Sequence, residues 1–196
     1  MPLLKPAIPV NPDELSKLTP SERLEKDTEA ILAHRPDLAL ALGKVSEVIA
    51  GPTSTLPRRV AELTRLRIAF FNQCRACMSL RYAPTEVTEG LICSLERPAE
   101  SPDLSAAEKV AIRFAELMAT DHLAIDESLF NQLRQHYSEQ QIVELSVACA
   151  LHVGFGRMGA TWRLHEHLPE RFKIEQDAPF TPWSRGGVVA SSPASA

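Results

Sequence analysis

Cys74 and Cys77, with Arg75-Ala76 between them, are the residues whose types and spacing best suit chemistry in this chain. A Cys-x-x-Cys pair can close into a small disulfide ring, so each thiol can resolve an oxidised partner without an outside molecule. The pair opens a helical pattern, where exposed backbone N–H groups and the dipole favour the reactive thiolate. On that ground the first cysteine, Cys74, should feel the field most. The chemistry indicated is redox chemistry. Glu62 is the second candidate: it shares one helical stripe with Leu66 and Ala69, between Leu63 and Phe70. A carboxylate there is either buried for a purpose or paired with Arg58, Arg59 or Arg65 on the same helix.

The elements that must position these residues are all helical in pattern. Ser21, Leu24, Ile31 and Leu32 suggest a first helix ending before Pro36. Pro36 suits a first helical position, with Leu38, Leu42, Val45 and Ile49 on one apolar face, and Gly51-Pro52 stops it. Pro57 starts the helix that carries Glu62. After the dithiol, residues 84–91 read as a short helix leading into Cys93, and residues 96–104 as a polar loop. Ser105 to Glu108 and Ser138 to Gln141 are capping-box signatures, and Asp126 is a good N-cap. From Ile142 to Trp162 apolar residues lie on nearly all sides, which predicts the central buried helix. Gly154, Gly156 and Gly159 within it suggest a close approach to another helix or subunit. No strand signal of length and no internal repeat stands out, so the expected fold class is all-α.

Three regions follow from this pass. Residues 1–20 hold five of the fifteen prolines and read as an extended arm, of the kind that often lies on a partner subunit. Residues 21–168 form the helical domain. Residues 169–196 read as an irregular, partly disordered tail, docked at most through Phe180 and Trp183.

The 196 residues suffice for one domain with a substantial core. A formal charge of −4 gives no reason to expect a nucleic-acid partner, although arginines cluster between Arg58 and Arg81. The proline-studded start does not resemble a signal peptide, and the uncharged run from Leu145 to Gly156 is too short to cross a bilayer. The expectation is a cytosolic chain without a membrane partner, whose four cysteines are reactive or buried thiols more than a disulfide framework. Cys93 and Cys149 read as buried small hydrophobes, and Met78 and Tyr82 as apolar wall near the dithiol.

Glu62, twelve residues before Cys74, followed by a helix-opening Cys-x-x-Cys, resembles the carboxymuconolactone decarboxylase and alkylhydroperoxidase D superfamily. The stretch Glu62 to Ala69 resembles that family's core helix, as does the late apolar helix opening Ile142-Val143-Glu144-Leu145, and the likeness covers roughly residues 36–165. The resemblance implies an all-α bundle that assembles as a dimer, trimer or hexamer. It implies a peroxidase acting on hydroperoxides or another small-molecule substrate, with a thiol electron donor and no cofactor or metal. It assigns Cys77 as the attacking sulfur, Cys74 as the resolving one and Glu62 as proton acceptor, with burial raising its pKa towards neutrality. The family's motif has a histidine four residues after the second cysteine, hence on the same face of a continuing helix, where this sequence has Arg81. Arginine can hold a thiolate or bind an anion but cannot relay protons. His152, on the late helix, is a substitute imidazole or else a satisfied core residue.

Three other readings stand beside the peroxidase. A decarboxylase-like lyase could grip a substrate carboxylate with Arg81, but that branch generally lacks the dithiol. A redox-sensing or purely structural oligomer needs no substrate. Zinc on Cys74, Cys77, His165 and His167 is disfavoured, because two histidines two apart on a helix point to different faces.

Overall fold

The computed structural model describes residues 3–9, 11–164, 168 and 170–173. Helices α1 (Pro12–Leu15), α2 (Pro20–Leu32), α3 (Pro36–Ala50), α4 (Arg58–Phe71) and α5 (Arg75–Ser79) come first. Helices α6 (Glu89–Cys93), α7 (Ala106–Thr120), α8 (Glu127–Arg134), α9 (Glu139–Trp162) and α10 (Glu170–Lys173) follow. The architecture is all-α, with no strand among the described residues.

Local sequence signals set most boundaries. Ser105 and Ser138 each accept from the backbone N–H three residues on, while Glu108 and Gln141 return the bond, so both capping boxes form. Asp126 caps α8 through the Leu129 N–H at 2.9 Å. Caps of this kind are worth about 1 kcal/mol each. Thr19 and Glu22 make a third box at the head of α2. The helix expected over 84–91 instead starts at Glu89, because Thr88 caps it and residues 83–87 form a turn on the Ala83 carbonyl.

Helix α4 is the centre of the molecule. Its Val60 and Ile68 pack into a cluster with Val110, Phe114, Leu133 and Leu145, drawn from α7, α8 and α9. Its Leu63 and Leu66 face Val87, Ile92, Leu95 and Ile112. Its Ala69 joins Leu24, Ile31, Met78 and Phe172. The central place expected for α9 therefore belongs to α4. Helix α9 buries Ile142, Leu145, Ala148, Cys149 and Gly156 on one side and leaves Val143 and Val147 exposed on the other. By length and mean hydropathy α9 could cross a bilayer, but it packs on α4 and α7 within the bundle.

The ends also differ from the reading above. The proline-rich arm includes one helical turn, α1, and residues 3–9 lie on the chain's own helices. There the Leu3 N–H donates to the Trp162 carbonyl and the Ala7 N–H to the Ala30 carbonyl. Beyond Pro169, α10 forms a further turn whose Phe172 is wholly buried. Phe180, Trp183, His165 and His167 lie outside the described residues.

Candidate functional site

Chain reversal after α4 creates the site. Asn72 ends the helix, Gln73 takes a left-handed φ of 50°, and the Cys74 N–H returns to the Ala69 carbonyl at 3.1 Å. Cys74 is then the N-cap of α5, its sulfur accepting the Cys77 N–H at 3.2 Å. Cys74 and Cys77 are joined as a disulfide, with Cα atoms 5.2 Å apart. Helix α5 has only five residues, so the dipole acting on the pair is that of a single turn. Access differs more than field does. Cys74 is fully buried, and a Cβ at Gly159 would lie 3.6 Å from its sulfur. Cys77 is partly exposed and faces two cavities.

The larger cavity, ≈ 570 Å³, runs from the dithiol between α2, α3 and α9. Its wall is mostly apolar, with Leu24, Leu32, Leu42, Phe155 and Trp162, while Glu25 and Glu29 stand on the α2 side. The smaller, ≈ 170 Å³, brings Cys77 together with Arg65, Tyr82 and His152. A third space adjoins it and is lined by Glu62, Arg58, Arg65, Tyr82 and His152. His152 and Arg65 thus stand between the dithiol and the carboxylate.

Glu62 is buried and ionically paired. Arg65 grips it with two hydrogen bonds, of 2.7 and 2.9 Å, and the Tyr82 N–H donates to it at 3.0 Å. Burial alone would push the carboxyl up, but the Arg65 charge and these bonds outweigh it and hold Glu62 below its ordinary value. The upward shift expected from burial is therefore not found. Arg65 also donates to the carbonyls of Cys77 and Leu80, both at 2.8 Å, and lies over the Tyr82 ring at 4.5 Å. One guanidinium ties the carboxylate to the far end of the dithiol turn.

Arg81 is not on the face of the dithiol helix. Leu80 is already extended, with ψ 147°, because Arg65 and Arg81 capture the carbonyls that a longer helix would use. Arg81 is 3% exposed, donates to the Met78 and Leu80 carbonyls, and pairs with Glu89 at 2.7 Å. It lines neither cavity that Cys77 faces. Its place is that of a clamp between the end of α5 and the start of α6.

Sequence reading left Asn72 unassigned. Its side-chain amide donates to the His152 carbonyl at 2.9 Å and the Val153 carbonyl at 3.3 Å, and its oxygen accepts from Arg157. A Cβ at Gly156 would fall 2.3 Å from the Asn72 nitrogen. Gly156 therefore provides the close approach that the glycines suggested, whereas Gly154 has nothing near it. The result is that α9 is pinned to the end of α4 at the turn carrying His152. That imidazole is partly buried and makes no hydrogen bond among the described residues. Burial, with the Arg65 charge nearby, lowers its pKa to about 4. Cys149 is buried as expected, its thiol pushed up to about 12 by burial. Cys93 is partly exposed instead, with its thiol 3.4 Å from the Glu89 carbonyl.

No family model and no curated protein matches the chain. Among solved structures it is similar to the alkylhydroperoxidase AhpD core of an uncharacterized peroxidase-related protein from Ralstonia eutropha JMP134. The TM-score is 0.57 and the identity 16%, over 85% of this chain and 94% of the other. Helix order, the central α4 and this likeness together show that the chain has the AhpD-like all-α fold.

Proposed function

We propose that this chain is a dithiol oxidoreductase that reduces organic hydroperoxides. The observation that carries the reading is the unequal exposure of two bonded sulfurs on the wall of one apolar cavity, with Cys77 partly exposed and reaching a second space, and Cys74 fully buried. In the reduced form the Cys77 thiolate attacks the peroxide, an S–O bond forms, the O–O bond breaks, and the alcohol leaves. Cys74 then displaces water from the sulfenic acid and closes the disulfide. Two thiols of an external donor reduce it again. Glu62, held ionised by Arg65, is a weak base in this setting and serves to fix the guanidinium that holds the Cys77 carbonyl. Arg81 positions the chain after the dithiol.

The lyase reading loses its main support, since Arg81 faces neither cavity at the dithiol. Exposed apolar residues on α3 and α9, such as Leu40, Val48, Val143 and Val147, support assembly as a homo-oligomer. A reducing compartment such as the cytosol suits the cycle.

The test is the rate of thiol loss when reduced protein meets cumene hydroperoxide, for wild type, Cys77→Ser and Glu62→Gln. Rapid disulfide formation in the wild type, lost in Cys77→Ser, is expected. Thiols that oxidise no faster than free cysteine would refute the assignment.

A further inference from the structure

We propose that His152 is the proton-transfer group of the dithiol site, exchanging a proton with the Cys77 sulfur across the cavity they share. For the peroxide step this rests on the hydroperoxidase reading above, but the proton partnership itself does not.

Three observations converge on it. First, the ≈ 170 Å³ space is walled by Cys77 and His152, with Arg65 and Tyr82 the other titratable groups in its lining. The cavity has room for water between the two groups, at roughly 30 Å³ per molecule. Secondly, the charged groups of this space and the one adjoining it are committed. From α4, Glu62 and Arg65 are bound to each other, and Arg58 donates to the Tyr82 carbonyl. Tyr82, in the chain after α5, lies against Arg65, and burial raises its hydroxyl above the ordinary value. Thirdly, the ring is held in place without being used. Asn72 and Gly156 lock its stretch of backbone to α4, while its nitrogens have no partner among the described residues. A partly buried, unbonded imidazole forgoes stabilisation that a phenylalanine there would not need.

In the cycle, an imidazole nitrogen takes the proton of the Cys77 thiol. The sulfur attacks the terminal peroxide oxygen, the O–O bond breaks with its electron pair on the departing alkoxide, and the imidazolium protonates that alkoxide to the alcohol. Cys74 then attacks the sulfenic sulfur, and its thiol proton leaves with the hydroxyl as water. In the disulfide form burial keeps the ring neutral and free to take a proton, but with a pKa of about 4 it is a weak base until reduction raises it. A thiolate across the cavity should favour the imidazolium, so reduction should raise the ring's pKa.

The experiment joins two readouts on the full-length protein. NMR titration of His152 is compared between disulfide and reduced forms, and between reduced wild type and reduced Cys77→Ser. Peroxide oxidation is then timed for wild type, His152→Gln and His152→Ala, the last with and without added imidazole. The expected result is an upward titration shift on reduction that Cys77→Ser abolishes. Oxidation should slow by about 100-fold in both His152 variants, in the range of general acid–base catalysis, and free imidazole should partly restore His152→Ala. A titration that does not move on reduction overturns the proposal whatever the rates. A wild type inert to peroxide but with the shift intact retains the proton partner and removes the hydroperoxide reading. Fast oxidation that ignores both His152 substitutions also overturns the proposal, and leaves the hydroperoxide reading standing.

Discussion

Helices α3 and α4 are nearly equal in length, at 15 and 14 residues, and each carries an apolar stripe. Helix α4 buries eight of its residues, among them the charged Glu62 and Arg65, whereas α3 buries none. On α3, Leu40 is 63% exposed and Val48 60%. Periodicity states that a face wants cover and is silent on what covers it. Helix α4 finds that cover in α7, α9 and the dithiol turn. Among the described residues helix α3 touches chiefly α2, which leaves much of its stripe uncovered by them. The candidate site sits beside the most completely covered helix: a buried ion pair holds its geometry only when its neighbours are fixed.

The sharpest way to break the contrast is at the ion pair. Arg65→Met leaves the Glu62 carboxylate buried without its cation, so urea unfolding should show a loss of about 3–5 kcal/mol. A loss under 1 kcal/mol would mean that α4 tolerates charge as an outer helix does. Next comes the packing itself. Leu66→Ala, at a fully buried site, should cost about 2–5 kcal/mol. Leu40→Ser should change the stability of the isolated chain by no more than about 0.5 kcal/mol. Sedimentation sharpens the same pair, because Leu40→Ser with Val48→Ser should shift any assembly towards smaller species while Leu66→Ala should not. Unchanged assembly would remove α3 from the interface.

Acid should distinguish the two regions more gently. His152 binds its proton near 4 when folded and near 6.5 when unfolded, so the unfolded chain takes up the proton first and stability falls as pH drops from 6.5 towards 4. Glu62 adds a second loss lower down, as pH falls through its depressed folded value. The thermal midpoint against pH should therefore slope between 6.5 and 4, and His152→Gln should flatten that slope. An identical slope in the variant would show that the imidazole is not the group responsible.

What could be read in the chain beforehand was what is decided within a few residues. Both serine capping boxes, the Asp126 cap and the Pro36 helix start formed as their local chemistry requires. The Cys-x-x-Cys turn and the pairing of Glu62 with a nearby arginine were equally legible, being matters of one turn of helix. What failed depended on distant partners. Arg81 was expected on a continuing helix, but two arginines from different places take the carbonyls that would have extended it. The pKa of Glu62 followed its bonds, among them one from the distant Tyr82 N–H, and not its burial. The all-round apolar pattern of α9 signalled two contacts, one internal and one left open, and not a central position. The cavity joining His152 to Cys77 has in its wall Gly156, which meets Asn72 from the end of α4, a meeting that no single stretch of sequence announces.

That meeting has an evolutionary corollary. The Asn72 amide occupies the volume that a side chain at position 156 would need, so the two positions form one steric unit although they are far apart in the chain. Neither can change freely. Among relatives of this protein, a residue larger than glycine at 156 should occur only with a smaller one at 72, and the double replacement Asn72→Ala with Gly156→Ala should be better tolerated than Gly156→Ala alone.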